Sequence, residues 1–204
     1  MLNSNEYRPG AGPADNYKQN YEEYKMQTET KRLIIRSFQP GDEKAFAEMA
    51  KDGSLREIGF DADFQDWMGD WAAEAAELTK KDDARADYIP CTVVLRSTGE
   101  IVGNVGCTYF EDLKKVGICY FAGSAYRKQG YVTEAVKAYL PFFFEHYNEN
   151  EIIATIRDTN LPSWKTAEKC GFRLTEVKMY KDVGDEEEDF YRFYTYIGPT
   201  ETAF

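Results

Sequence analysis

From Lys31 onward the apolar positions alternate between two spacings, one of strands and one of helices. Leu33-Ile34-Ile35-Arg36 is a short β-branched run that predicts a first strand. Pro40 opens a helix whose apolar side includes Ala45, Phe46 and Met49. A second helix is predicted over 63–79, carrying Phe64, Trp67, Met68 and Trp71. Tyr88–Arg96 and Ile101–Phe110 are β-rich runs joined through Ser97-Thr98-Gly99-Glu100, a hairpin signal, and Val116–Phe121 follows as another strand. After a polar loop, Val132, Ala135, Val136, Tyr139, Leu140 and Phe143 form a helical stripe, with Pro141 placed to kink it or relax a turn. Glu151–Ile156 predicts a buried strand. Asn160–Cys170 predicts a short helix stopped by Gly171. Phe172–Lys181 and Phe190–Ile197 are the last two strands, set around an acidic turn. Hairpin strands followed by two strand–helix crossovers imply an α/β domain, a mixed sheet with helices on both faces.

Residues 1–30 read differently. They hold no Val, Ile, Phe or Trp, and Gly10-Ala11-Gly12-Pro13 interrupts any early structure. Tyr17, Tyr21 and Tyr24 then share one helical face that Asp15 could cap. This segment is expected to be an arm, packed on the domain or a second subunit, or a solvated tail. The division is an arm at 1–30, a domain at 31–198 and a tail at 199–204.

Composition narrows the function classes. With 25 basic and 36 acidic residues the net charge is −11, which excludes non-specific nucleic-acid binding and disfavours anionic membrane surfaces. That charge suits a cationic amine or a basic peptide as partner. The N-terminus lacks the basic and apolar regions of a signal peptide, and no apolar run reaches the ~20 residues of a membrane span. Cys91, Cys107, Cys119 and Cys170 are too scattered for zinc or a disulfide framework and read as reduced thiols of a cytoplasmic protein, with no metal expected. His146, the single histidine, reads as structural.

The chemistry concentrates in Arg127-Lys128-Gln129-Gly130-Tyr131-Val132, which joins a strand end to a long helix. Free N–H groups at a helix N-terminus, favoured by its dipole, make such a turn an anion site, and Arg127 and Lys128 add positive charge. The segment Tyr126-Arg127-Lys128-Gln129-Gly130-Tyr131-Val132-Thr133-Glu134-Ala135-Val136 resembles the first signature of the GCN5-related N-acetyltransferase (GNAT) superfamily. Asn160-Leu161-Pro162-Ser163 followed by Glu168-Lys169-Cys170-Gly171-Phe172 resembles the second, and Thr30–Arg36 looks like the start of the branch of ribosomal-protein alanine acetyltransferases, the RimJ/RimL-like branch. The resemblance spans roughly residues 30–198.

That resemblance implies a GNAT fold with a mixed, mostly antiparallel, seven-stranded sheet and a V-shaped opening between the fourth and fifth strands. Acetyl-CoA would lie in the opening. Its pyrophosphate would rest on the loop from Arg127 to Val132, through Lys128, Gln129, Gly130 and Tyr131, and its pantetheine would pair with Ile118, Cys119 and Tyr120. Asn160 would hold its amide or cap the helix, or both, and Lys165 could reach a phosphate. The reaction implied is direct attack of a neutral amine, protein N-terminal or small-molecule, on the thioester. An acyl-CoA-binding sensor or scaffold with degraded catalysis is the second reading. It is kept open because Lys115 and Ala167 stand where relatives carry a glutamate and a tyrosine acid; Val132 also replaces the usual Gly or Ala. Candidate substitutes are Ser163 as donor to the leaving thiolate, and Asp182 or Glu111 as base. The first two helices and the last hairpin would build the acceptor pocket, with Phe64, Trp67 and Trp71 as lining candidates. The chain is expected to be a monomer or a homodimer.

Overall fold

The computed structural model describes residues 26–61, 63–182 and 185–199. The expected tyrosine-faced helix near the N-terminus, Val183 and Gly184 of the acidic turn, and residues 200–204 lie outside the described residues. In chain order the elements are β1 (Gln27–Glu29), β2 (Leu33–Ser37), α1 (Glu43–Ala50), α2 (Phe64–Lys81), β3 (Tyr88–Leu95), β4 (Ile101–Phe110), β5 (Lys115–Ala122), α3 (Tyr131–Tyr147), β6 (Glu151–Arg157), α4 (Leu161–Lys169), β7 (Arg173–Tyr180) and β8 (Asp189–Ile197).

The predicted order of strands and helices stands, with two local corrections. The sheet has eight strands rather than seven, because Gln27–Glu29 pairs antiparallel with β2. A polar triplet, Gln-Thr-Glu, carries no apolar alternation to announce a strand; its backbone simply completes the ladder of β2. Helix α1 starts at Glu43 and not at Pro40, since Asp42 N–H closes a turn onto the Gln39 carbonyl at 3.0 Å and the Glu43 carboxylate accepts from Gly41 N–H at 2.6 Å. Helix α3 runs through the exposed Pro141, and α4 stops ahead of Gly171 in the left-handed region at φ +99°.

The strand order is β1-β2-β3-β4-β5-β6-β8-β7, antiparallel throughout except between β5 and β6. Strand alternation sorts the core into two layers. One packs Ala135, Val136, Tyr139 and Phe143 of α3 and Ala167 of α4 on Val105, Cys107, Ile118 and Ala154. The other packs Phe46 of α1 and Phe64 and Ala75 of α2 with Phe38, Phe60 and, from the sheet, Phe121. Neighbouring residues of β5 therefore serve opposite faces: Ile118 and Tyr120 meet the α3/α4 layer, Phe121 the α1/α2 layer. At the rim of these layers His146 bonds Asp82 at 2.7 Å and Tyr147 bonds it at 2.9 Å, tying α3 to the end of α2.

Candidate active site

Strands β5 and β6 share a single register pair, Gly117 with Ile153. Below it, the ends are held by the Lys115–Glu151 ion pair at 2.6 Å. Beyond it, toward their C-terminal ends, the two strands part and leave one edge of Ile118–Ala122 without a ladder partner among the described residues. This fork is the opening expected between these two strands. Its apex is shaped by a missing side chain: a Cβ on Gly117 would collide with the Phe110 ring.

Two hydroxyls meet across the fork. Tyr120 donates to the Ser163 carbonyl at 2.9 Å, and Ser163 Oγ lies 3.3 Å from the Tyr120 hydroxyl. Asn160 Oδ1 accepts from Ser163 N–H at 3.2 Å, so Asn160 is the N-cap of α4. Burial pushes the Tyr120 hydroxyl up from its ordinary pKa. Burial likewise pushes the Cys119 thiol up to about 12, so at neutral pH it is a thiol and not a thiolate nucleophile.

The loop after β5 is shaped for an anion by its backbone. Lys128 (φ +60°) and Gly130 (φ +80°) are both left-handed, and Gly130 sits at the N-cap of α3. That conformation is inexpensive only for glycine, and the curl it produces presents successive N–H groups outward. Those from Lys128 to Thr133 make no hydrogen bond within the described residues; the first helical bond is Glu134 N–H to the Gly130 carbonyl at 3.0 Å. Arg127 is spent otherwise than expected, its guanidinium donating to the Ala122 and Ser54 carbonyls at 3.2 and 2.8 Å. Gln129 also turns inward, to the Ala125 carbonyl at 3.1 Å. Exposed Lys128 remains as the loop's cation.

A brace behind the loop escaped the sequence reading. Arg32 donates to the Gln129 carbonyl at 2.9 Å and to Glu134 Oε2 at 2.7 Å, and its guanidinium lies 4.7 Å from the Tyr131 ring centre. Thr30 donates to the other Glu134 oxygen at 2.5 Å. Burial alone would raise the Glu134 carboxyl, but the hydrogen bonds from Thr30 and Arg32 outweigh it and hold the carboxyl below its ordinary range. The only hint in the sequence is a charge pair separated by about a hundred positions, which no local spacing connects.

The carboxylate candidates divide. Asp182 accepts from Thr155 Oγ1 at 2.9 Å, which sets it on β6 two residues beyond the fork's apex. Thr155 alternates with Ala154 and Ile156 of the α3/α4 core, so this carboxylate lies on the opposite face of the sheet. Glu111 is exposed and paired with Lys114. Its neighbour Asp112 accepts from the Tyr180 hydroxyl at 3.3 Å, bringing the β4–β5 turn against the end of β7. The acidic turn is anchored by Arg157, which pairs with Asp185, while Tyr191 donates to Asp185 at 2.7 Å. Lys165 is exposed, its ammonium 5.9 Å from the Trp164 ring centre. Ala167 is wholly buried against the core. Among the aromatic candidates, Phe64 and Trp71 pack in the second core layer and Trp67 is 39% exposed.

The family model for the acetyltransferase (GNAT) domain matches residues 32–173, which include the fork, the anion loop and the capped helix α4. An uncharacterized N-acetyltransferase of Bacillus subtilis, YnaD, is 28% identical over 148 residues, 72% of this chain and 83% of the relative. The GNAT-family acetyltransferase of Bacillus anthracis superposes with a TM-score of 0.69 at 21% identity, covering 84% of this chain and 98% of that one. RimL, a ribosomal L7/L12 α-N-protein acetyltransferase solved in complex with coenzyme A, superposes at 0.68 with 12% identity, covering 83% and 96%. The two sequence signatures, the forked sheet and the family match agree, and the chain belongs to the GNAT acetyltransferases.

Proposed function

We propose that this acetyltransferase takes its acetyl group from acetyl-CoA and passes it to a primary amine, that of a protein N-terminus or of a small molecule. One arrangement carries the reading: a row of unsatisfied backbone N–H groups at the open end of a fork whose strand edge is also unpaired. The loop fits a pyrophosphate, and the free edge of β5 fits an amide-bearing chain laid alongside it. Acetyl-CoA supplies an activated thioester. The protein's own part is to align it and manage one proton.

The residues divide that work by face. Tyr120 spends its proton on the Ser163 carbonyl, so Ser163, whose Oγ makes only a 3.3 Å bond to the Tyr120 hydroxyl, is the donor suited to a leaving thiolate where the fork meets α4. Asp182, held by Thr155 on the other face, would take a proton from the attacking amine. An α-amine has a pKa of about 7.7–8.0, so roughly one molecule in ten is already neutral at pH 7, whereas a lysine amine near pKa ~10.4 is neutral in about one in several thousand. A single partly solvated carboxylate suffices for the first and is a poor match for the second. RimL, an α-N-protein acetyltransferase of similar fold, supports the same acceptor class.

The test is a panel of peptides with free α-amines, of N-acetylated lysine peptides and of small amines, read by thiol release from acetyl-CoA. Release with α-amine peptides or small amines, together with thermal stabilisation by acetyl-CoA, is expected. Stabilisation without release for any amine would leave a binding protein in place of an enzyme.

The acidic turn gives a second expected result. Asp182, Asp185, Glu186, Glu187, Glu188 and Asp189 gather six carboxylates in eight residues, and Glu186, Glu187 and Glu188 are exposed. Such a rim steers a cationic amine. Replacing Glu186, Glu187 and Glu188 with Gln should raise the acceptor KM and flatten its salt dependence while kcat holds. An unchanged KM at low salt would remove the steering role.

A further inference from the structure

The two edges of the sheet are finished differently. At one edge β1 is 3 residues long, too short to template another strand. At the other, β7 is an 8-residue strand bonded, among the described residues, only to β8, with six of its residues exposed. Its apolar residues sit on the α3/α4 side: Leu174, Val177 and Met179 are each 46% exposed, beside Phe190 of β8 at 56%. Natural sheets normally blunt, cover or pair so long an apolar edge. No described segment covers this one.

We propose that β7 pairs antiparallel with β7 of a second copy, about a two-fold axis through Val177. The charge pattern selects this register. Glu176 and Lys178 flank Val177 on the opposite face, where they form an ion pair at 2.9 Å within the strand. Centring on Val177 sets Glu176 against the partner's Lys178, and Lys178 against the partner's Glu176. Centring one residue either way instead sets Glu176 or Lys178 against itself. Val177 meets its own copy. The bulge between Leu174 and Glu176 shifts the alternation there, so the regular ladder is centred on Glu176–Lys178, which keep regular pairing with Phe193–Tyr191 of β8. The result is an isologous interface that continues the sheet, pairs the open backbone edge and sets the apolar side chains of the two β7 strands side by side. One strand pair buries less than the ~800 Å² per partner of a standard interface, so the dimer is concentration-dependent. This interface does not depend on the acetyl-transfer reading.

Sedimentation velocity of the full chain over a concentration series tests it. The wild type should move from monomer toward dimer as concentration rises. E176K and K178E each place like charges opposite one another twice, and each should weaken the dimer by about tenfold. The double variant E176K/K178E exchanges the charges and should restore it. Glu176 is exposed and Lys178 half-buried over the Phe193 ring, so retained melting curves are needed to separate the effect from misfolding. A wild type monomeric throughout, or a dimer indifferent to the single variants, or a double variant as weak as the singles, would each overturn the proposal. So would a chain that dimerises only after removal of residues 1–25, which would make that segment the occupant of the edge.

Discussion

Asp42→Ala is expected to cost about 3–5 kcal/mol of unfolding free energy, the largest single-residue effect on stability argued from this structure. Asp42 and Arg36 are 6% and 7% exposed and form a bidentate pair at 2.7 and 2.8 Å. Thr92 donates to the same carboxylate at 2.6 Å, and Gln39 N–H does so at 3.0 Å. One carboxylate thus joins β2, β3 and the turn into α1. Arg36 Nε has no partner among the described residues, so the guanidinium already holds its buried charge with one donor unpaid. Removing Asp42 strands that charge and frees two further donors. Replacing both residues with apolar ones of similar volume should recover most of the loss, because the desolvation cost of the pair disappears with it. Urea unfolding of the two variants measures both. A loss under about 1 kcal/mol for Asp42→Ala would mean that water reaches Arg36.

The largest effect on activity is expected at Asp182. Asp182→Asn should lower kcat/KM for the acceptor identified in the panel by roughly 10²–10⁴-fold, the span of general-base catalysis, and leave the acetyl-CoA dissociation constant unchanged. Thr155→Val should produce a smaller loss, since it removes the donor that positions the carboxylate at 2.9 Å but not the base. The deficit of Asp182→Asn should shrink for weakly basic acceptors, which reach the site already neutral. Kinetics at fixed pH with acceptors of graded basicity read this directly. Equal loss for all acceptors would assign Asp182 to holding the turn.

Much of this geometry was legible because it is local. The anion loop needs only a strand end, a glycine and a helix start in sequence, and the cap of α4 needs only Asn160 three residues before Ser163. The fork came with the resemblance to the GNAT fold, and the crossover through α3 makes its two strands the one parallel pair of the described sheet. What stayed hidden depends on residues far apart in the chain. Arg32 and Glu134 brace the loop from opposite sides of a hundred residues. Thr155 finds Asp182 only after β7 has crossed back over the sheet. Arg127 was expected to face an anion, but backbone carbonyls at the end of β5 and in the α1–α2 connection hold it. Burial was equally illegible for the aromatic helix, where Phe64 and Trp67 share one pattern and only packing separates core from surface.

The Arg32–Glu134 brace has a kinetic consequence. A loop tied to the β1–β2 turn and to the first turn of α3 by charged hydrogen bonds has already lost the freedom that a ligand would otherwise have to take from it. Binding to such a receptor draws little on conformational entropy, and association is limited by encounter and not by a folding step.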